Sequence, residues 1–170
     1  MRGRKFDRSV VSNSGAGQSA APDAYQKALE LLVRRDHSRR ELGLKLTARG
    51  IDRDAADAAM DKLAGQGFQD EKRFADMLTR SRVAGGYGPI RIRAELGTHG
   101  LTRGIIESAL DSCDTDWAES ACAQLVRRYS EADLVDPAKR RKAVEFLLRR
   151  GFELAVAYAA VRHRAEDSAD

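Results

Sequence analysis

From Tyr25 to about Arg164 the apolar residues recur every three or four positions, the spacing of one face of an α-helix. Tyr25, Ala28, Leu29 and Leu32 make the first stripe. Ser38-Arg39-Arg40-Glu41 has the form of a capping box, in which the hydroxyl satisfies a first-turn amide and the glutamate reaches back. Leu42 and Leu46 follow one turn apart. Gly50-Ile51 reads as a stop, the glycine supplying a left-handed residue and the isoleucine the apolar contact beyond it. Asp52 then caps a third helix with Ala56, Met60 and Leu63 inward.

The cycle runs twice more. Asp70 caps a helix with Phe74, Met77 and Leu78 inward, closed by Gly85-Gly86. Pro89 takes a first-turn position ahead of Ile92 and Leu96, and Thr102 caps a helix carrying Ile105, Ile106, Ala109 and Leu110. In the last cycle Asp116 opens a stripe of Ala118, Ala121, Cys122 and Leu125. Asp136-Pro137 opens one of Ala143, Val144, Leu147 and Leu148, and Val156, Ala157, Ala160 and Val161 line the final helix. The stops superpose: Leu46-x3-Gly50-Ile51, Leu96-x3-Gly100-Leu101 and Leu147-x3-Gly151-Phe152, spaced 50 and 51 residues apart. The expected fold is all-α, with three tandem three-helix, helix-turn-helix-like repeats over residues 22–67, 68–115 and 116–164 in an elongated, curved array. A unit of about 45 residues buries little by itself, so neighbours must share surface. Residues 1–21, basic and then polar, are expected to form a flexible arm, and residues 165–170 an acidic tail.

Composition agrees with helices in series. Apolar residues make up 42% and aromatic residues only 6%, so Ala, Leu and Val must do the packing, which favours close helix contact. Charged residues reach 33%, high for a compact globule. Cys113 and Cys122, nine residues apart, form neither a CxxC pair nor a disulfide framework, so a cytoplasmic, soluble chain is expected. No run of about 18 apolar residues suggests a membrane span.

Catalytic and metal signatures are missing. His37, His99 and His163 are scattered, and neither Cys/His zinc spacing nor a nucleophile elbow occurs. Asp52, Asp54, Asp57 and Asp61 wrap around a helix rather than converge, as a solvated face would. Gly85-Gly86-Tyr87-Gly88 follows a helix and lacks the Lys-Ser/Thr of a phosphate loop. Neither an enzyme nor a cofactor is expected.

Charge placement is more informative than the net +4. The middle helix of each unit is basic: Arg39, Arg40, Lys45 and Arg49, then Arg91 and Arg93, then Lys139, Arg140, Arg141, Lys142, Arg149 and Arg150. The third helices of units 1 and 2 lean acidic, through Asp52 to Asp61 and then Glu107 and Asp111. If equivalent helices share a side, a basic stripe runs along one flank, suited to phosphates or to an acidic protein groove.

Gly86-Tyr87-Gly88-Pro89-Ile90-Arg91-Ile92-Arg93-Ala94-Glu95-Leu96 closely resembles the G-Y-G-P-x-R-I-x-x-E-L signature of the bacterial RecX family. Gly67-Phe68-Gln69-Asp70-Glu71-Lys72-Arg73-Phe74-Ala75 and Phe146-Leu147-Leu148-Arg149-Arg150-Gly151-Phe152 are similar to two further family strings, and the resemblance spans about Tyr25 to Arg164. It implies a regulator that binds the RecA recombinase and its filament on single-stranded DNA, restraining ATP hydrolysis, strand exchange and co-protease activity from within the filament groove. It also implies that DNA can be a direct ligand, as for some members. A membrane partner is not expected, and a monomer is. On this reading Tyr87, Gly88 and Pro89 shape a turn and Arg91 and Glu95 face the partner, alongside the basic residues of the middle helices. Gly50, Gly86, Gly100 and Gly151 are structural. A DNA-binding array that contacts phosphates without RecA is the alternative.

Overall fold

Eight of the nine helices among the described residues begin where a side-chain oxygen accepts a first-turn amide or a proline removes one. Asp23, Ser38, Asp52, Asp70, Thr102, Asp116 and Asp136 all accept a backbone N–H at a helix start. Gly88 has no side chain to offer, and Pro89 follows it at the first helical position.

The computed structural model describes residues 23–166. The arm expected over residues 1–21 lies outside them, as does the acidic tail expected over residues 165–170 except for its first two residues, which belong to the last helix. Among the described residues there are nine α-helices and no strand. Unit 1 holds α1 (Ala24–Arg34), α2 (Arg39–Thr47) and α3 (Arg53–Gly65). Unit 2 holds α4 (Glu71–Ala84), α5 (Pro89–Thr98) and α6 (Arg103–Asp111). Unit 3 holds α7 (Trp117–Val126), α8 (Pro137–Arg149) and α9 (Leu154–Glu166), with a short 3₁₀ turn at Ala132–Leu134 ahead of α8.

All the closely packed helix pairs lie within one unit. Each unit has its own core: Leu42, Leu46, Met60 and Leu63 in the first, Phe74, Ile92, Leu96 and Ile106 in the second. Leu125, Leu134, Leu147 and Phe152 centre the third, and Trp117 packs against both the second and third cores. The stops behave alike. Gly50, Gly100 and Gly151 have φ of 78°, 79° and 88°, left-handed values that cost a residue with a Cβ.

Two local expectations need correction, and one core residue was not anticipated. Ser38 Oγ accepts the Glu41 amide at 3.1 Å, but the Glu41 carboxylate turns to Arg35, His37 and Lys45, so only half of the capping box forms. Leu148 stays on the surface, because Ala143, Val144, Phe146 and Leu147 take the core face of α8. Leu134, on the 3₁₀ turn, enters that core without any helical period to announce it.

Backbone and polar side-chain contacts join the units at two seams, with Trp117 adding an apolar contact between units 2 and 3. In both seams the turn before one middle helix sits on the stop after the next. The Gly88 amide donates to the Arg150 carbonyl at 2.9 Å and the Ile90 amide to the Gly151 carbonyl at 3.0 Å. Unpaired carbonyls at the end of α8 thus serve unpaired amides at the start of α5, and their partial charges attract. At the other seam Ser38, before α2, lies 3.0 Å from Nδ1 of His99, after α5. The Arg39 amide donates to Glu71 at 2.9 Å, and Arg73 donates to Asp36 at 2.7 Å. The His99 ring packs on Phe74 at 4.8 Å between centroids.

Candidate partner interface

The RecX-like signature lies at the seam between units 2 and 3. A Cβ on Gly88 would strike the Gly151 carbonyl and the Phe152 amide, and one on Gly86 would strike the buried Gln124 side chain of α7. The Tyr87 ring is contacted by Arg91 at 4.5 Å and by Arg150 at 5.4 Å, cation–π contacts worth roughly 0.5–2 kcal/mol each. Arg150 also donates to the Gly85 and Gly86 carbonyls at 3.0 and 3.1 Å, and Arg91 reaches the Arg149 carbonyl at 3.5 Å. Glu95 forms a two-pronged pair with Arg82 of α4 at 2.6 and 2.7 Å, which holds its carboxyl below the ordinary range. Tyr87, Gly88, Arg91 and Arg150 therefore join two units, Pro89 opens α5 beside them, and Glu95 ties α5 to α4.

Several other basic residues are matched inside the chain. In unit 1, Arg39 crosses from α2 to Asp61 at 2.6 Å and Asp57 at 3.7 Å on α3. In unit 2, Arg93 crosses from α5 to Glu107 on α6 at 2.9 and 3.0 Å, holding that carboxyl down. Lys45 pairs with Glu41 at 3.4 Å, Arg149 with Glu145 at 3.6 Å and Lys139 with Asp133 at 2.6 Å. Hydrogen bonds from Lys139 and Ser130 pull the Asp133 carboxyl down to about 2. The basic and acidic flanks are thus neighbours that partly neutralise each other. Arg40, Arg49, Arg140, Arg141 and Lys142 are exposed and make no ion pair among the described residues. Among the basic residues singled out on the middle helices, these five have neither an ion pair nor a ring contact.

Sequence spacing missed the counter-charges Asp57, Asp61, Glu107 and Arg82, because each partner lies on another helix. Comparing third helices at equal distance past their glycine stops would have found Asp57 and Glu107, which occupy the same repeat position. His37 was also missed as a seam residue. It is 3% exposed, with Nδ1 3.0 Å from Glu41, and Gln69 of the unit 2 side donates to its carbonyl at 3.4 Å. Burial pushes the imidazole below its ordinary value against the pull of Glu41, with Arg35 and Lys45 adding to the fall. The folded chain therefore resists protonating it. Stability from His37 is complete above the unfolded value of about 6.5 and is lost as pH falls below it. Glu71, raised by burial, acts in the opposite direction at more acid pH. Melting temperature measured from pH 7.5 down should fall more in the wild type than in His37→Gln, and parallel curves would show that His37 contributes nothing to the acid loss.

Among the described residues no three of His, Cys, Asp and Glu stand close enough to hold a metal ion, and no helix is long and apolar enough to cross a membrane. Family models for the first, second and third three-helix domains of RecX match residues 24–63, 70–110 and 114–161. The chain is 51% identical to the Regulatory protein RecX of Xanthomonas oryzae pv. oryzae (strain PXO99A) over 142 residues, 84% of this chain and 88% of that one. It is 52% identical to the Regulatory protein RecX of Stenotrophomonas maltophilia (strain K279a), covering 84% and 87%. Its fold is similar to the crystal structure of RecX from Lactobacillus salivarius, with a TM-score of 0.68, 26% identity and coverage of 83% of this chain and 94% of that one. A further crystal structure of regulatory protein RecX gives a TM-score of 0.70 at 24% identity, covering 82% and 70%.

Proposed function

The chain belongs to the RecX family, and on that premise we propose that it is a non-enzymatic regulator that binds the RecA recombinase and its filament on single-stranded DNA. Binding inhibits RecA's ATP hydrolysis, strand exchange and co-protease activity, and so tunes recombination, DNA repair and the SOS response. The observation that carries this reading is the succession of middle helices. The end of α8 meets the start of α5, the end of α5 meets the start of α2, and Arg40, Arg49, Arg140, Arg141 and Lys142 stand unmatched along α2, the turn after it, and α8. A filament presents the same surface again on each protomer. Three similar units held in fixed series suit such a target, because the first contact raises the effective concentration of the next.

Direct phosphate binding without RecA is the second reading, favoured by the same unmatched arginines. The two separate in one titration. The chain should suppress RecA-dependent ATP hydrolysis at amounts well below the RecA present and too low to coat the DNA. Inhibition only at coating amounts, with equal protection of bare single strands, would hand the function to DNA binding.

A further inference from the structure

Besides its 3₁₀ turn, unit 3 differs from its siblings in the groove between its middle and third helices. Position by position past or before the glycine stop, Asp57 of unit 1 and Glu107 of unit 2 become Tyr158, and Asp61 and Asp111 become Arg162. On the facing helix Gly43 and Arg93 become Val144, and Thr47 and Gly97 become Leu148. Units 1 and 2 tie these helices together with Arg39–Asp57, Arg39–Asp61 and Arg93–Glu107 pairs. Arg140 holds the place of Arg39 but makes no ion pair among the described residues, and the same is true of Arg141.

The result is an open groove of about 620 Å³ with an apolar floor that includes Val144, Leu148 and Val161 and a rim of Arg140, Arg141 and Arg162. Unit 1 has a recess of about 590 Å³, so the change is in chemistry and not in size. Tyr158 is 61% exposed and Leu148 39%, apolar surface that the unit 3 core does not need. Glu145 is the single acid in the lining and stands 3.6 Å from Arg149.

We propose that the α8/α9 groove docks an acidic segment of a partner protein that carries large apolar side chains. The apolar side chains replace water on the floor, and the carboxylates supply Arg140 and Arg141 with the counter-charges that units 1 and 2 provide for themselves. A nucleic acid strand fits less well. Strand-binding grooves use successive aromatic platforms, and this floor is aliphatic with Tyr158 as its one aromatic ring. The chain's own Glu166-Asp167-Ser168-Ala169-Asp170 run has acids for the rim but only Ala169 for the floor. The proposal stands independently of RecA.

Fluorescence anisotropy with the full chain tests it, using a labelled synthetic helix of about fifteen residues with Glu on one face and Leu and Phe on the other. Competitors are poly-glutamate, a Lys/Leu helix and an oligo-dT strand. The acidic apolar helix should bind, and poly-glutamate should bind about tenfold more weakly or worse. Tyr158→Asp, which restores the residue type of unit 1, and the double variant Arg140→Glu/Arg141→Glu should each weaken binding about tenfold while melting like the wild type. All three positions are exposed, so if one variant fails to fold the other still decides. Undiminished binding by the folded variants, displacement by oligo-dT, or poly-glutamate binding as tightly as the helix would each overturn the proposal. A gain of about tenfold on deleting residues 166–170 would assign the groove to the chain's own acidic run instead.

Discussion

Gly151→Ala should destabilise the folded chain by about 2–4 kcal/mol, whereas Gly50→Ala should cost only about 1–2 kcal/mol. Both glycines end a middle helix in the left-handed region, so the backbone strain is common to the two. Their surroundings differ. A Cβ on Gly50 meets nothing within 4 Å, while one on Gly151 would strike the backbone and Cβ of Arg91 in unit 2. The added cost at Gly151 is the cost of opening the seam, because backbone on either side of a hydrogen-bonded junction cannot give way as a flexible side chain would. Gly88→Ala should behave like the second term alone, about 1–3 kcal/mol from the clash with the Gly151 carbonyl, since its own φ of −85° suits any residue. Denaturant titrations of the three variants give the comparison. Equal losses at Gly50 and Gly151 would mean that the seam contributes nothing to stability.

Arg140→Glu with Arg141→Glu should lower inhibition of RecA about tenfold, with helical content and melting unchanged. These side chains are exposed on α8 and unmatched within the chain, so their reversal reads charge alone. Reversing Arg91 or Arg93 is a different experiment. Arg91 stacks on Tyr87 at the seam and Arg93 is bonded twice to Glu107, so losses there mix charge with damage to the fold. Added salt should weaken the wild type more than the double variant, because fewer ion contacts remain in the variant to screen. The charge and peptide tests remain distinct, since RecA inhibition can fall through lost phosphate or filament contacts while Tyr158→Asp addresses the groove only. Folded double variants that inhibit RecA as well as the wild type would leave the basic middle helices as solvated surface.

The family-like signature has a structural meaning that its composition does not reveal. Gly86 and Gly88 are small because Gln124 and the Gly151 turn occupy the space beside them. Within the chain, Glu95 binds Arg82 and Arg91 stacks on Tyr87. The seam holds units 2 and 3 together through the Gly88–Arg150 and Ile90–Gly151 backbone hydrogen bonds.

Helix order, caps and stops were legible along the chain because each depends on residues within one turn: an Asp or Ser side chain and an amide two or three positions on, or a glycine and the carbonyl it frees. The repeat was legible for the same reason, since Gly50, Gly100 and Gly151 are local signals at a fixed interval. What joins Gly88 to Arg150, Ser38 to His99 or Arg39 to Asp61 is contact between residues 22 to 62 positions apart. Periodicity carries no information about such distances. It placed Leu148 in the core because helical phase alone allows it, and tertiary packing gave that face to Phe146 and Leu147 instead. It likewise marked a dozen basic side chains as one stripe. Only the folded arrangement, by setting acidic third helices against basic middle ones in units 1 and 2 and not in unit 3, decided which of those charges are matched within the chain.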